Sequence, residues 1–232
     1  MVKKVLIKNM DRLCGLYAIT DTRVTDPQQL LANVEQALRG GARIVQYRDK
    51  SRDKNSHHTQ RHETCQALRT LTREFNALFI INDDVELAKQ CHADGVHLGK
   101  DDSAISAARD FLGPNVRNNA IIGVSCYNRI ELAQQAVNNG ADYIAFGRFF
   151  ASQTKPDAVP ASLDLLKQAR QLFDIPIVAI GGITAENGGT LIKAGAHMLA
   201  VVDDIFGRAG TANAIETAAR RYQVLFMVDS DC

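Results

Sequence analysis

This chain has no long apolar run, no excess of either charge and no C-x-x-C motif. Nothing in it approaches the roughly 18 apolar residues that a membrane-spanning helix needs. The opening MVKKVLIKNMDRLCG holds only Val5-Leu6-Ile7 as a central apolar stretch and no small-residue cleavage site. No membrane span or secretory leader is expected, and a cytoplasmic protein is. Lys and Arg number 27 against 26 Asp and Glu, a formal net charge of +1 with both signs interspersed. That lacks the basic footprint of a nucleic-acid binder, so a polyanionic polymer is not an expected partner. The five cysteines, Cys14, Cys65, Cys91, Cys126 and Cys232, are odd in number and never form C-x-x-C. They suit a reducing compartment without structural zinc, and Cys91-His92 reads as packing. No Ser–His or Cys–His arrangement for nucleophilic catalysis stands out either.

The chain does have a regular alternation. GLYAIT (15–20) is followed by PQQLLANVEQALRGG, with Pro27 near the helix start and Gly40-Gly41 closing it. RIVQYRD (43–49) precedes a polar segment from about 56 to 75. LFIIND (78–83) precedes DVELAKQC, and GVHLG (95–99) precedes SAISAARDFLG. AIIGVSCY leads to RIELAQQAVNNG, and YIAFGR leads through a polar loop to SLDLLKQARQLF. IPIVAIGG leads to TAENGGTLIKAG, and HMLAVVDDIF to TANAIETAARRY. Gly-Ala or Ala-Asp steps recur before strands, as in GGARIVQ, HADGVHL, NGADYIA and KAGAHML, which fits glycine helix ends turning into strands. Unbroken βα alternation implies a parallel sheet covered by helices. Eight such units in 232 residues predict an α/β fold, a (β/α)8 TIM barrel. A single domain over 1–232 is expected, with a core of about 15–222 and short terminal extensions outside the repeat.

In such a barrel the site lies where the strands end. Side chains repeat every second residue along a strand, so Gln46, Arg48 and Lys50 share one side at the end of strand two. An amide and two cations there make a polyanion clamp; the plainer alternative pairs Arg48 with an acidic neighbour. Strand three delivers Asn82 and Asp83, and strand four Asp101 and Asp102. Each of these two neighbouring strands ends in an aspartate doublet. Carboxylates such as Asp83 and Asp102, together with water and phosphate oxygens, suit Mg²⁺. Asp84 and one of Asp101 and Asp102 equally suit helix capping, and the two readings are compatible. Strand five ends near Ser125. The strand-six loop ASQTKPDA offers Ser152, Thr154 and Lys155, as a second anion site or simply a turn. AIGGIT places Gly181-Gly182 where barrels let phosphate approach the backbone, and strand eight ends in Val202-Asp203-Asp204. His57, His58 and His62 read as an exposed helix face, and His97 as a packed or hydrogen-bonded strand residue; none is assigned catalysis.

GLYAITD, QYRDK, IINDDVELA, DGVHLGKDD, IIGVSCYN, GADYIAFGRFFASQTKP and PIVAIGGIT, in that order over about 15 to 206, resemble the thiamine phosphate synthase family. The resemblance implies an enzyme joining hydroxymethylpyrimidine diphosphate to a thiazole phosphate, or its carboxythiazole form, with release of pyrophosphate. By the same resemblance Gln46, Tyr47, Arg48, Asp49, Lys50, Asn82, Ser125 and Lys155 would hold the pyrimidine diphosphate. Of these, Arg48, Lys50, Ser125 and Lys155 would assist the chemistry. Asp83 and Asp102 would hold Mg²⁺; Ser152, Gln153, Thr154, Gly182, Val202 and Asp203 would receive the thiazole phosphate. The implied partners are small phosphorylated molecules, and a homo-oligomer is compatible with this. Two positions depart from the family pattern: Ser152 replaces a common threonine, and Asp203 a common serine. A carboxylate would repel phosphate, so the backbone is expected to make that contact while the Asp203 side chain turns away.

Three other readings compete with this one. A thiazole tautomerase-like barrel lacks the full diphosphate and metal set, whereas Gln46, Arg48, Lys50, Asp83 and Asp102 are all present here. A non-catalytic barrel that binds thiamine precursors is favoured only by Asp203. A phosphate-sugar isomerase or aldolase would want a Lys or Glu facing the barrel centre, and none is unaccounted for.

Overall fold

A computed structural model describes residues 11–22, 28–49, 58–99, 103–115, 118–151, 160–207 and 213–229. The strands, in chain order, are β1 (Gly15–Ile19), β2 (Ile44–Tyr47), β3 (Leu78–Asn82), β4 (Gly95–Leu98), the two-residue β5 (Pro114–Asn115) and β6 (Asn118–Asn119), β7 (Ile121–Tyr127), β8 (Tyr143–Gly147), β9 (Ile177–Ile180) and β10 (Met198–Val201). The helices are α1 (Leu30–Arg39), α2 (His58–Glu74), α3 (Val85–Gln90), α4 (Ser103–Leu112), α5 (Ile130–Asn138), α6 (Leu163–Leu172), α7 (Gly188–Lys193), α8 (Asp203–Phe206) and α9 (Ala214–Asp229). All strands but β5 and β6 close into one parallel barrel, β10 pairing with β1 as its seam. The expected eight-stranded TIM barrel is what forms.

Parity along each strand divides the core. Tyr17 and Ile19, Ile44, Leu78 and Ile80, Ile121, Tyr143 and Ala145, Val178, Met198 and Ala200 pack together as one cluster inside the barrel. Their neighbours in sequence, such as Leu16 and Ala18, Val45 and Tyr47, or Phe79 and Ile81, form the second cluster with the covering helices. Both faces of a parallel strand are thus buried, which is why these segments read as nearly unbroken apolar runs.

The Ala-Asp and Gly-Ala steps serve a purpose the sequence does not reveal. Asp94, just before β4, accepts the Phe79 backbone N–H of the preceding strand at 2.8 Å. Asp142 does the same for Ile122 at 2.7 Å, and His197 Nδ1 accepts the Ile177 N–H at 3.1 Å. Each side chain therefore stitches its own strand to the start of the previous one, at the rim opposite the strand ends. Arginines hold the two aspartates: Arg69 forks onto Asp94 at 2.6 and 2.8 Å, and Arg109 reaches Asp142 at 2.8 Å. Charge-assisted pairs with this planar fork are among the stronger protein hydrogen bonds.

Three local features depart from the sequence reading. The short antiparallel β5–β6 hairpin between α4 and β7 was not expected. HMLAVVDDIF does not stay extended: β10 ends at Val201, and Asp203–Phe206 make one helical turn closed at Gly207. The last residues do not all lie outside the repeat, because α9 continues to Asp229. Among the described residues no helix is long and apolar enough to cross a membrane, and Cys65, Cys91 and Cys126 are buried cysteines outside any disulfide.

Asp94→Ala removes the acceptor for Phe79 N–H and strands Arg69. It should lower unfolding stability by about 2 kcal/mol, seen as a lower urea midpoint at unchanged slope.

Candidate active site

One pocket opens where the strands end, lined from β1, β2, β3, β4, β7, β8, β9 and β10 and the turns that follow them. The inward parity of Ile44 carries on to Gln46, which lines the pocket and is 2 % exposed, and then to Arg48. Arg48 is held from behind: its Nη1 donates to Asp21 Oδ2, and the Asp21 side chain is fully buried. The end of β1 is zipped to this segment, since Thr20 Oγ1 accepts from Arg48 N–H at 3.1 Å and donates to Gln46 O at 3.3 Å. So the plainer reading of Arg48, an acidic partner, is met without removing the guanidinium from the pocket wall. Asp21 was not picked out in the sequence, although it sits in the GLYAITD stretch.

Two of the residues assigned by resemblance do not face the pocket. Tyr47 has outward parity and is buried with the helices in the outer core. Asp49, whose side chain is 7 % exposed, lies 3.1 Å from Arg61 Nε as an ion pair without hydrogen-bond geometry. A continuous run from Gln46 to Lys50 cannot all line one side of a strand end, because alternate side chains point apart.

The first aspartate doublet divides its labour. Asp84 caps α3 by accepting Leu87 N–H at 3.0 Å, and its other oxygen takes Arg61 Nη2 at 3.0 Å. Arg61, on α2, thereby ties the β2 and β3 loops to one helix. Asp83 instead has φ +60 and an exposed side chain, and one of its oxygens accepts Asn82 Nδ2 at 2.8 Å. Asn82 lines the pocket next to it. The capping half of the expectation therefore holds for Asp84, and Asp83 is left on the rim. Lys50, Asp101, Asp102, Ser152, Gln153, Thr154 and Lys155 lie outside the described residues. Among the described residues no group of three or more His, Cys, Asp or Glu side chains could hold a metal ion.

The pocket floor is a chain of polar side chains in which the sequence reading picked out the two ends, Gln46 and Ser125, but not the residues between them. Gln46 Nε2 donates to Tyr17 Oη at 2.7 Å, and the Tyr17 and Tyr143 hydroxyls are 2.9 Å apart. His97 Nδ1 lies 3.0 Å from Tyr143 Oη, and its Nε2 lies 2.8 Å from Ser125 Oγ. The His97 and Tyr143 rings stack with centroids 5.6 Å apart, and Tyr17 meets Tyr143 edge to face at 6.1 Å. Room for the Tyr143 ring comes from Gly123, where an added Cβ would fall 1.8 Å from Tyr143 Cζ. Burial pushes the pKa of both phenols well up, keeping them protonated. A register shift in the β7–β8 pairing between Ser125 and Tyr127 disturbs the ladder beside the site, as bulges near active sites commonly do. His97 is hydrogen-bonded within a strand, as expected, but it also lines the pocket. Inward parity was the available signal: Tyr17, His97 and Tyr143 all fall on inward positions.

The glycines after β9 have a packing role that the sequence reading did not include. Gly181 and Gly182 have φ +105 and +63, and a Cβ on either would come within 2.3 Å of Arg148 or Ala151 O. The chain after β8 lies directly against them, with Phe149 N–H donating to Ile180 O and Phe150 N–H to Gly181 O. Their missing side chains therefore make room for that loop. Gly182 and Val202 still line the pocket. Asp203 also lines it, with its side chain exposed, while Asp204 accepts Tyr222 Oη at 2.7 Å.

Comparison with known proteins bears on the family and the fold. The thiamine monophosphate synthase family model matches residues 16–205. The thiamine-phosphate synthase of Alcanivorax borkumensis is 50% identical over 220 residues, covering 95% of this chain and 97% of that protein. That of Saccharophagus degradans is 53% identical over 192 residues, covering 82% and 85%. Among solved structures, a thiamine phosphate pyrophosphorylase from Pyrococcus furiosus superposes with a TM-score of 0.80 at 33% identity, covering 94% of this chain and 98% of the other. A barrel matched almost end to end, with a pocket built from the matching segments, leads to one conclusion: this chain belongs to the thiamine monophosphate synthase family.

Proposed function

We propose that this chain is a thiamine phosphate synthase, a transferase that joins a hydroxymethylpyrimidine diphosphate to a thiazole phosphate and releases pyrophosphate. The observation that carries this is half-identity to a thiamine-phosphate synthase across 95% of the chain, together with Gln46, Arg48, Asn82 and Ser125 on one pocket. The C–O bond between the pyrimidine methylene and the diphosphate breaks, its electron pair leaving with pyrophosphate. The ring stabilises the resulting cation, and the thiazole nitrogen captures it to form the new C–N bond. No protein nucleophile takes part. The protein's work is to orient two substrates and to stabilise charge on the leaving group.

Arg48, with its guanidinium held by Asp21, would meet the diphosphate oxygens; Asn82 and the Ser125 hydroxyl would donate to them, with Lys50 and Lys155 adding charge. Gln46 would fix the pyrimidine end. Gly182, Val202 and Asp203, with Ser152, Gln153 and Thr154, would receive the thiazole phosphate. Mg²⁺ prefers hard oxygen donors such as the Asp83 carboxylate at the rim. Asp83 is an exposed residue at the rim and carries hard carboxylate oxygens, and Asp84 beside it caps its helix and accepts from Arg61. A metal that keeps several waters and takes one or two carboxylates needs no larger cluster. Asp83 and Asp102 would hold it, and when bound it would supply positive charge to the departing pyrophosphate.

Purified protein given both substrates and Mg²⁺ should release pyrophosphate. Release should fall to background when either substrate or the metal is withheld; no release from the complete mixture would sink the reading. Asp83→Ala should lower kcat at least about a hundredfold with an unchanged circular dichroism spectrum, and full turnover at limiting metal would remove Asp83 from the metal site. Arg48→Lys keeps the charge but loses the planar fork, so kcat/KM for the diphosphate substrate should drop about tenfold or more in initial-rate assays.

A further inference from the structure

We propose that His97 is a positioning residue that sets the hydrogen-bonding polarity of Ser125, and that the setting is relayed from Gln46 through Tyr17 and Tyr143. The inference rests on the synthase reading for its kinetic arm alone.

The chain of contacts spans the pocket floor from β2 to β7: Gln46 Nε2 to Tyr17 Oη at 2.7 Å, Tyr17 to Tyr143 at 2.9 Å, Tyr143 to His97 Nδ1 at 3.0 Å, and His97 Nε2 to Ser125 Oγ at 2.8 Å. Both ends line the pocket. Tyr17 is 1 % and Tyr143 0 % exposed, and among the described residues neither has a hydrogen-bond partner outside the chain. Each phenol has one proton to give, and a buried donor without an acceptor is costly.

These limits force a direction. The Gln46 amide donates to Tyr17, so the Tyr17 proton has only the Tyr143 oxygen to go to. Tyr143 must then give its proton to His97 Nδ1, which has to be unprotonated to accept it. His97 is therefore the neutral Nε2–H form, donating to Ser125 Oγ, and the Ser125 proton is left for the pocket. Adding a proton at Nδ1, in the other neutral tautomer or in the imidazolium, would turn Tyr143 back towards Tyr17. The buried Tyr17 proton would then have no acceptor. The opposite direction requires an acceptor at residue 46, and it spends the Ser125 proton on His97 Nε2. Ser125 thus presents a donor to the pocket in the first direction and only lone pairs in the second. A donor is what a leaving pyrophosphate oxygen requires.

The test is ¹⁵N imidazole NMR on the full chain with labelled histidine, the His97 signals being assigned by their loss in His97→Gln. Wild type should show the Nε2–H tautomer. Gln46→Glu, whose carboxylate accepts from Tyr17, should switch His97 to the Nδ1–H tautomer, and in a Tyr143→Phe background the change at residue 46 should have no effect on it. The same tautomer in wild type and Gln46→Glu would overturn the relay. In turnover assays His97→Phe should lower kcat/KM for the diphosphate substrate about tenfold and leave KM for the thiazole phosphate unchanged. His97→Gln, which can donate to Ser125 again, should recover most of that loss. In a Ser125→Ala background His97→Phe should cost nothing further, and an additive loss would show that His97 does not act through Ser125. A wild-type protein that releases no pyrophosphate would fail the synthase reading while leaving the tautomer measurement intact.

Discussion

Once eight strands close into a barrel, every second side chain points into an interior that bulk water does not reach, and each must be packed or hydrogen-bonded there. Apolar residues such as Ile44, Leu78, Ile80 and Met198 meet the condition by packing. Nearer the strand ends the inward positions turn polar, and Gln46, Tyr17, Tyr143, His97 and Ser125 satisfy one another in sequence. The same constraint that completes the core therefore builds the floor of the site. Gly123 belongs to it as much as the polar groups do, since the Tyr143 ring occupies the volume its side chain would fill.

Charge is organised around this frame by arginines and aspartates with two distinct duties. At the rim opposite the pocket, Arg69 and Arg109 hold Asp94 and Asp142 while those carboxylates take backbone N–H groups of neighbouring strands. On the pocket side, Asp21 fixes Arg48, and Arg61 bridges Asp49 and Asp84 beneath the loops. Ion pairs with little exposure contribute through geometry: breaking one leaves a buried charge uncompensated. Exposed charged residues at the rim, such as Asp83, then stand on loops anchored by these pairs.

Much of this was legible in the residue order. Strand and helix alternation predicted the barrel, because each βα unit carries its own local signals and the parallel closure follows from their number. Strand parity placed Gln46 and Arg48 on one side, and it also spoke against Tyr47 and Asp49, which entered only through the resemblance. The split of the first doublet into a cap and a rim carboxylate followed from Asp84 standing directly before a helix. His97 was read as a packed or hydrogen-bonded strand residue without a place in the site, since parity alone does not tell how near a strand end a side chain stands.

What the sequence determined by itself is whatever depends on neighbours along the chain: the succession of elements, the inward and outward faces, the cap at Asp84 and the family motifs. Tertiary structure alone decided the contacts between strands distant in sequence. Tyr17 with Tyr143, His97 with Ser125, Arg48 with Asp21, and Gly181 against Arg148 are separated by 126, 28, 27 and 33 positions. No periodicity encodes such pairs, because they arise only when barrel closure brings the strand ends within hydrogen-bonding distance of one another.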